Sequence, residues 1–454
     1  MEKLLIANRG EIGRRIIRSA RALGIRTVAL YSEADAGLAH VEEADEAVAI
    51  GPAPARESYL DVDRVLDAAR QTGADAVHPG YGFLSENADF AERVIAAGLT
   101  WVGPAPETIR AMGDKARART LAEAAGVPVV PGSGRIPPGS VMDVEAEAAR
   151  IGYPLLVKAS AGGGGIGMRR VDGPAQLAAT VAATQSMAGK AFGDGTVFLE
   201  RFVPRARHIE IQVFGLGEAG AVHLRERDCS LQRRFQKVIE ESPAPGLPEG
   251  VRQRMAEAAL ALCRHTAYRG AGTIEFIVDA VSFDFYFLEM NTRIQVEHPV
   301  TEMVTGRDLV AMQLRFAADT LGRVEQDAIR FSGHAIECRL YAESPERNFL
   351  PSPGTLTRFR PPPVGPDLRL DAAYREGETV TPFYDPMIAK LIAHGATREQ
   401  ACNRAIDALR QFEIDGIRTN RDFLIACLEN PGFRAGDIYT GFIEDNRATL
   451  LHYA

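Results

Sequence analysis

The chain has 454 residues, of which 46% are hydrophobic and 25% charged, with a formal net charge of −8. That length allows about three globular domains, and the acidic balance gives no general attraction to nucleic acid or to an anionic membrane surface. No apolar run approaches a membrane span or a secretory signal, and the five cysteines are scattered without a paired spacing, which fits reduced thiols better than a disulfide framework or a zinc site and leads us to expect a cytoplasmic protein.

The first hundred residues alternate short apolar runs with amphipathic stretches. Leu4 to Ala7, Thr27 to Tyr31, Ala76 to His78 and Thr100 to Val102 read as strands, and Glu11 to Leu23, Tyr59 to Thr72 and Asn87 to Ala97 as helices. This rhythm predicts an α/β unit with a Rossmann-like parallel sheet covered on both faces. The first strand runs into Asn8-Arg9-Gly10-Glu11, with one glycine where a dinucleotide fingerprint needs three, so a nicotinamide site is disfavoured.

From Gly113 the pattern becomes α+β. Pro154 to Lys158 reads as a buried strand, followed by Ala159-Ser-Ala-Gly-Gly-Gly-Gly-Ile-Gly167 and a second strand at Met168 to Val171, so the glycines sit at a hairpin tip. Backbone free of Cβ atoms can close around phosphate oxygens, although Met168 stands where a Walker loop requires lysine. Lys115 and Lys158 are local cations that an anionic nucleotide would need on an acidic protein. Further strands are expected at Val197 to Arg201, Arg207 to Phe214, Gly220 to Arg225, Gly272 to Val278 and Phe283 to Glu289. In Arg207 to Val213, His208, Glu210 and Gln212 share one face, which for a strand is more often solvent than site. Arg225 to Lys237 is densely charged and reads as a loop that carries Lys237 towards an anion. After Gly333 come more strands, a Pro-rich loop and a helical close from Thr397.

The densest signal is Phe285 to Pro299, where Glu289, Asn291, Arg293, Gln295 and Glu297 fall two residues apart. An extended backbone would place all five on one ledge, with Leu288, Met290, Ile294 and Val296 turned away. Together with Glu275, an acid inside an apolar strand, Glu289 and Asn291 supply the oxygen ligands that magnesium prefers, and Arg293 suits a small planar oxyanion.

Seven motifs in order resemble biotin carboxylase of the ATP-grasp superfamily: Ile6 to Ile12, His78 to Asn87, Met112 to Lys115, Lys158 to Gly165, Arg225 to Ser230, Glu289 to Met303 and Phe349 to Gly354. The resemblance covers Leu4 to about Phe442. It implies a Rossmann-like domain over 1–113, an ATP-grasp domain over 114–330 with a lid at about 131–203, and a mixed α/β C-terminal domain over 331–446. It also implies ATP-dependent carboxylation of biotin by bicarbonate. By the same resemblance, Lys115, Lys158, Gly164, Gly165, Glu200, Val203 and His208 bind ATP, with Arg201 and Phe202 on the adenine-side strand. Glu275, Glu289 and Asn291 hold two magnesium ions, for which manganese can substitute. Lys237, Arg293, Gln295 and the Val296 backbone hold bicarbonate, Glu297 is the general base, and Arg339 faces the biotin ureido oxygen near Tyr81 and Gly82.

Two positions depart from the family pattern on the ATP side: Ile166 where Arg or Lys is common, and Phe235 where His is common. None of the ten methionines precedes a lysine, so a biotinyl attachment motif is lacking and biotin is expected on a separate carrier protein. A carboxyltransferase partner, an acyl-CoA carboxylase of acetyl-CoA or propionyl-CoA type and a homodimer are implied by the family alone. A carboxylase acting directly on a small free substrate and a noncatalytic homologue are the alternatives.

Overall fold

In the computed structural model the described residues are 1–160, 167–234 and 236–451. The expectations for Gly164, Gly165, Ile166 and Phe235 lie outside them.

The N-terminal unit is a five-stranded parallel sheet in the order Glu46–Ala49, Arg26–Tyr31, Lys3–Ile6, Ala76–His78, Thr100–Trp101. The four expected strands are present within one residue at each end, and the edge strand Glu46–Ala49 is additional. Strand order reverses between Lys3–Ile6 and Ala76–His78, and the crevice beyond the carboxyl ends of two such strands is where open α/β sheets hold ligands. Asn8 closes that crevice by donating from Nδ2 to the carbonyls of Pro79 and Tyr81, both at 2.7 Å. Two of its helices begin at side chains that cap them: Asp61 accepts from the amides of Asp63 and Arg64, and Asn87 from that of Phe90.

The remainder is organised by one eight-stranded antiparallel sheet. Its order is Phe285–Asn291, Arg269–Asp279, Ala206–Leu216, Ala221–Arg233, Gln236–Ser242, His334–Tyr341, Met387–Gly395, Leu368–Ala372. The pairing of Ile239 with Cys338 and of Ser242 with Ala335 carries this sheet across the expected division near residue 330. Met168–Val171, Leu155–Ala159 and Val197–Arg201 form a separate three-stranded sheet over a small core that includes Ile151, Leu155, Val157, Val171, Leu177 and Leu199. The expected hairpin is therefore present, with Lys158 opposite Met168.

Two expectations are corrected. Arg225 to Lys237 is not a loop: the strand Ala221–Arg233 runs through it and a second strand starts at Gln236. Arg227 and Arg233 are buried because each meets a partner, while Arg234 stays exposed. Arg227, with no exposure, donates to Glu210, Gln212, Thr273 and Thr301 at 2.5 to 3.0 Å, and Arg233 pairs with Glu343. The ledge is also not extended throughout, because the strand ends at Asn291 and turns carry the chain to a helix at His298–Thr305. Leu288 is 42% exposed and does not enter the core.

The seam between central and C-terminal regions rests on Glu241, whose carboxylate accepts from Arg398 Nε at 2.6 Å and lies 2.6 Å from His334 Nε2. Burial pushes its carboxyl up, but Arg398 and His334 prevail and hold it down at about 2. A depressed carboxyl stabilises the fold above its ordinary value near 4.5 and loses that contribution as pH falls from there through about 2. Glu241→Gln is therefore expected to cost roughly 3 kcal/mol at neutral pH. Urea titrations at several pH values should show that difference shrinking below about pH 4.5. No described helix is long and apolar enough to cross a membrane.

Candidate active site

A cavity of about 860 Å³ opens where the crevice of the parallel sheet meets the large antiparallel sheet. Asn8, Gly10, Tyr81 and Gly82 line it from the first, and Lys237, Glu275, Glu289 and Arg339 from the second. Lys115, His208, Asn291, Arg293, Gln295, Val296 and Glu297 complete the wall, so thirteen of the positions singled out from sequence share one chamber (Lys115, Tyr81, Gly82, His208, Lys237, Glu275, Glu289, Asn291, Arg293, Gln295, Val296, Glu297, Arg339).

Register explains the chemistry of its floor. Glu275 pairs with Glu210 on one side and with Glu289 on the other, and Glu210 pairs with Arg227. Three carboxylates thus cross three adjacent strands in a row, an arrangement of like charges that is unfavourable unless cations enter it. Arg227 supplies one at Glu210 Oε1, 2.5 Å away. Lys237 supplies the second: its Nζ donates to Glu210 at 2.7 Å, Glu275 at 3.1 Å and Glu297 at 2.6 Å. Burial opposes the Lys237 charge, but Cys229 and the three carboxylates hold the ammonium well above its usual range. His208 Nε2 lies 3.0 Å from the second Glu275 oxygen. Burial lowers the His208 imidazole, Glu275 raises it, and the rise prevails.

Among the described residues Glu289, at the outer end of the row, forms an ion pair only with the exposed Lys115, at 3.8 Å. Burial and then Glu275 push its carboxyl up. Acids that face each other with too little positive charge, beside the amide oxygen of Asn291, fit a hard divalent cation, and no sulfur stands among these oxygens. The donor set fits magnesium on that ground.

The turn after Asn291 is held by Arg293, which donates to Glu86 at 2.8 Å, Gln295 Oε1 at 2.8 Å and Asn291 Oδ1 at 2.9 Å. Gln295 in turn donates to Glu275 at 3.1 Å. The five ledge residues therefore converge through a turn instead of through strand alternation. Glu297 occupies the N-cap position of the helix His298–Thr305 without its side chain bonding the helix amides, and is fully buried between Lys237 and Arg339, the latter at 3.0 Å from its second oxygen. Burial pushes the Glu297 carboxyl up, but Lys237, Arg339 and Arg227 outweigh it and hold the group well below the usual range, so it is ionised at neutral pH.

The remaining expected residues stand apart from the chamber. Lys158 donates to Glu200 at 2.7 Å within the small sheet, Arg201 is exposed, Phe202 lies under Arg170 at 4.6 Å, and Val203 is half-buried. Among the described residues none from 131–203 lines the cavity. Sequence reasoning missed Glu86, Glu210, Arg227, Gln232 and Leu288. Glu210 and Gln212 were visible as one strand face with His208 but read as solvent-facing, whereas both are fully buried.

Comparison with known proteins matches this geometry. Residues 1–109 match the biotin carboxylase N-terminal domain model, 114–322 the carbamoyl-phosphate synthase L chain ATP binding domain, and 337–445 the biotin carboxylase C-terminal domain. Biotin carboxylase of Allochromatium vinosum is 51% identical over 445 residues, covering 98% of each chain. Mitochondrial methylcrotonoyl-CoA carboxylase subunit alpha of Oryza sativa subsp. japonica is 49% identical over 99% of this chain, which spans 61% of that longer relative. The solved biotin carboxylase domain dimer of Hydrogenobacter thermophilus 2-oxoglutarate carboxylase, in complex with MgADP, ADP and bicarbonate, superposes with a TM-score of 0.88 at 43% identity, covering 99% of this chain and 98% of that one. Full-length identity of this order, carried by all three domain models, means that the chain belongs to the biotin carboxylase family of ATP-grasp ligases.

Proposed function

We propose that this chain carboxylates biotin, using ATP and bicarbonate through carboxyphosphate, as the first half-reaction of an acyl-CoA carboxylase. The observation that carries the reading is one chamber in which oxygen donors (Glu275, Glu289, Asn291) adjoin cations (Lys237, Arg293, Arg339) around a buried, ionised Glu297. In this reading the biotin is presented by a carrier protein and handed to a carboxyltransferase. The chain works in the cytoplasm as a homodimer, and the acyl acceptor is acetyl-CoA or propionyl-CoA.

Glu275, Glu289 and Asn291 would hold magnesium, which when bound neutralises phosphate charge. Lys115 and His208 face the nucleotide from the chamber wall. Lys158, Glu200, Arg201, Phe202 and Val203, with Gly164 and Gly165, belong to a lid that must move over the chamber to reach it. Bicarbonate is taken by Lys237, Arg293, Gln295 and the Val296 backbone. All three Lys237 protons are directed at carboxylates, so binding bicarbonate draws one away. If that one is the bond to Glu297, a cation that depresses Glu297 is lost as the substrate arrives, and the base strengthens when needed. Glu297 removes the bicarbonate proton while its oxygen attacks the γ-phosphorus and the bond to ADP breaks. Carboxyphosphate then yields carbon dioxide and phosphate, the phosphate takes the biotin N1′ proton while Arg339 stabilises the ureido oxygen, and the N1′ electron pair forms the bond to carbon dioxide as one of its C=O pairs moves to oxygen, with Tyr81 and Gly82 beside the ring.

The test is ADP release from purified protein with Mg·ATP, bicarbonate and free biotin. Turnover that requires bicarbonate and rises with biotin is the expected result. Turnover only with another small molecule, or none, overturns the reading.

A further inference from the structure

The polar face beneath the chamber holds more acids than the proposed chemistry uses. Glu240 on Gln236–Ser242 and Glu337 on His334–Tyr341 are fully buried and directly opposite each other in the antiparallel pair. One Glu240 oxygen accepts from Arg339 Nε at 2.5 Å, while its other oxygen and both Glu337 oxygens have no hydrogen-bond partner among the described residues. Two adjacent buried carboxyls with this little support do not both ionise.

Their surroundings separate them. Burial pushes the Glu337 carboxyl well up; Lys390 and Arg339 pull against it, and Glu240 and Glu297 add to the rise, so the Glu337 carboxyl stays well above the usual carboxylate range. Glu240 faces Lys237 on its own strand, Arg339 and Glu337 on the next, Cys229 on Ala221–Arg233, and Glu297 at the helix terminus. Burial raises it, Arg339 opposes, Glu297 raises and Lys237 opposes, leaving Glu240 at about 7. Glu297, held far lower, is connected to Glu240 by a single guanidinium nitrogen: Arg339 Nη2 lies 3.0 Å from Glu297 and 2.5 Å from Glu240. Two carboxyls whose environments differ this much, on either side of one donor, define a direction for a proton.

We propose that Glu240 receives the proton that Glu297 takes from bicarbonate, returning Glu297 to its ionised state before the chamber reopens. This rests on the carboxylase reading above. The O–H bond on Glu297 breaks and leaves its electron pair there, an O–H bond forms on Glu240 directly or through one water, and Arg339 keeps its protons. When products leave and water fills the chamber, the proton returns from Glu240 through Glu297, which lines the cavity, to that water. Glu240 does not line the cavity and touches no substrate position, so it is a positioning residue acting through Glu297.

The experiment follows kcat against pH at saturating bicarbonate with Mg·ATP and free biotin. The relay needs Glu240 ionised, so the wild-type chain should show a limb rising with pH and centred near the value of Glu240, about 7. Glu240→Gln should lose that limb and lower kcat about tenfold or more at alkaline pH while KM for ATP changes little. A limb and kcat that survive Glu240→Gln overturn the relay and leave the carboxylase reading standing, whereas a wild-type chain without bicarbonate-dependent turnover overturns that reading. If Glu240→Gln does not fold, infrared difference spectra of ¹³C-glutamate-labelled wild-type protein supply the second measurement. A buried carboxyl band that grows as pH falls through about 7 is expected, and its absence overturns the proposal.

Discussion

Glu297→Gln should lower bicarbonate-dependent ADP release by about 10²- to 10⁴-fold, the range of a lost general base. Mg·ATP affinity should stay within about twofold, because Glu297 is not among the residues that would hold nucleotide or metal. The amide keeps the volume of the acid and can still accept from Lys237 or Arg339, but it cannot take a proton. Neither cation is stranded, since Lys237 retains Glu210 and Glu275 and Arg339 retains Glu240. The variant is therefore expected to fold with a melting temperature close to wild type, which separates a chemical defect from a structural one. Calorimetric nucleotide binding beside ADP release makes the distinction. Unchanged turnover would remove Glu297 from the base role.

The parallel sheet was readable because its strands are apolar runs between amphipathic helices, as in Lys3–Ile6 before Gly10–Ala22. The strand Glu46–Ala49 escaped notice because it is a short edge strand that alternates half-buried with exposed residues. Arg225 to Lys237 misled for a different reason: charge in a sequence window signals solvent unless each charge is matched, and the partners of Arg227 and Arg233 lie 17 and 110 residues away. Glu275, Glu289, Asn291, Arg293, Gln295 and Glu297 were legible as a chemical set, but their route to one point was not, since it depends on Arg293 bonding Glu86 in the N-terminal unit. Their individual roles came only from resemblance. What no linear pattern contains is the row Arg227, Glu210, Glu275, Glu289, which exists only as cross-strand register.

That row makes Lys237→Met the most demanding test of the site. Methionine matches much of the lysine stem but leaves Glu210, Glu275 and Glu297 without their shared cation, and breaking a buried charge cluster in this way costs about 3 to 5 kcal/mol. Denaturant midpoints should fall accordingly, and bicarbonate-dependent turnover should drop by at least about 10³-fold, since a substrate cation and the orientation of Glu297 are lost together. The sign with pH is fixed. Lys237 is among the groups that hold Glu275 and Glu297 down, against burial. Its contribution is present above the ordinary carboxyl value near 4.5 and fades as pH falls below it, so wild type and variant should converge in acid. Magnesium supplies the decisive arm. With Lys237 removed, Glu275 no longer has an ammonium at 3.1 Å competing for its oxygen, so added Mg²⁺ should raise the melting temperature of the variant more than that of wild type. Equal shifts would mean that Lys237 and the cation do not share Glu275, and the metal ligands would have to be sought farther out, at Glu289 and Asn291.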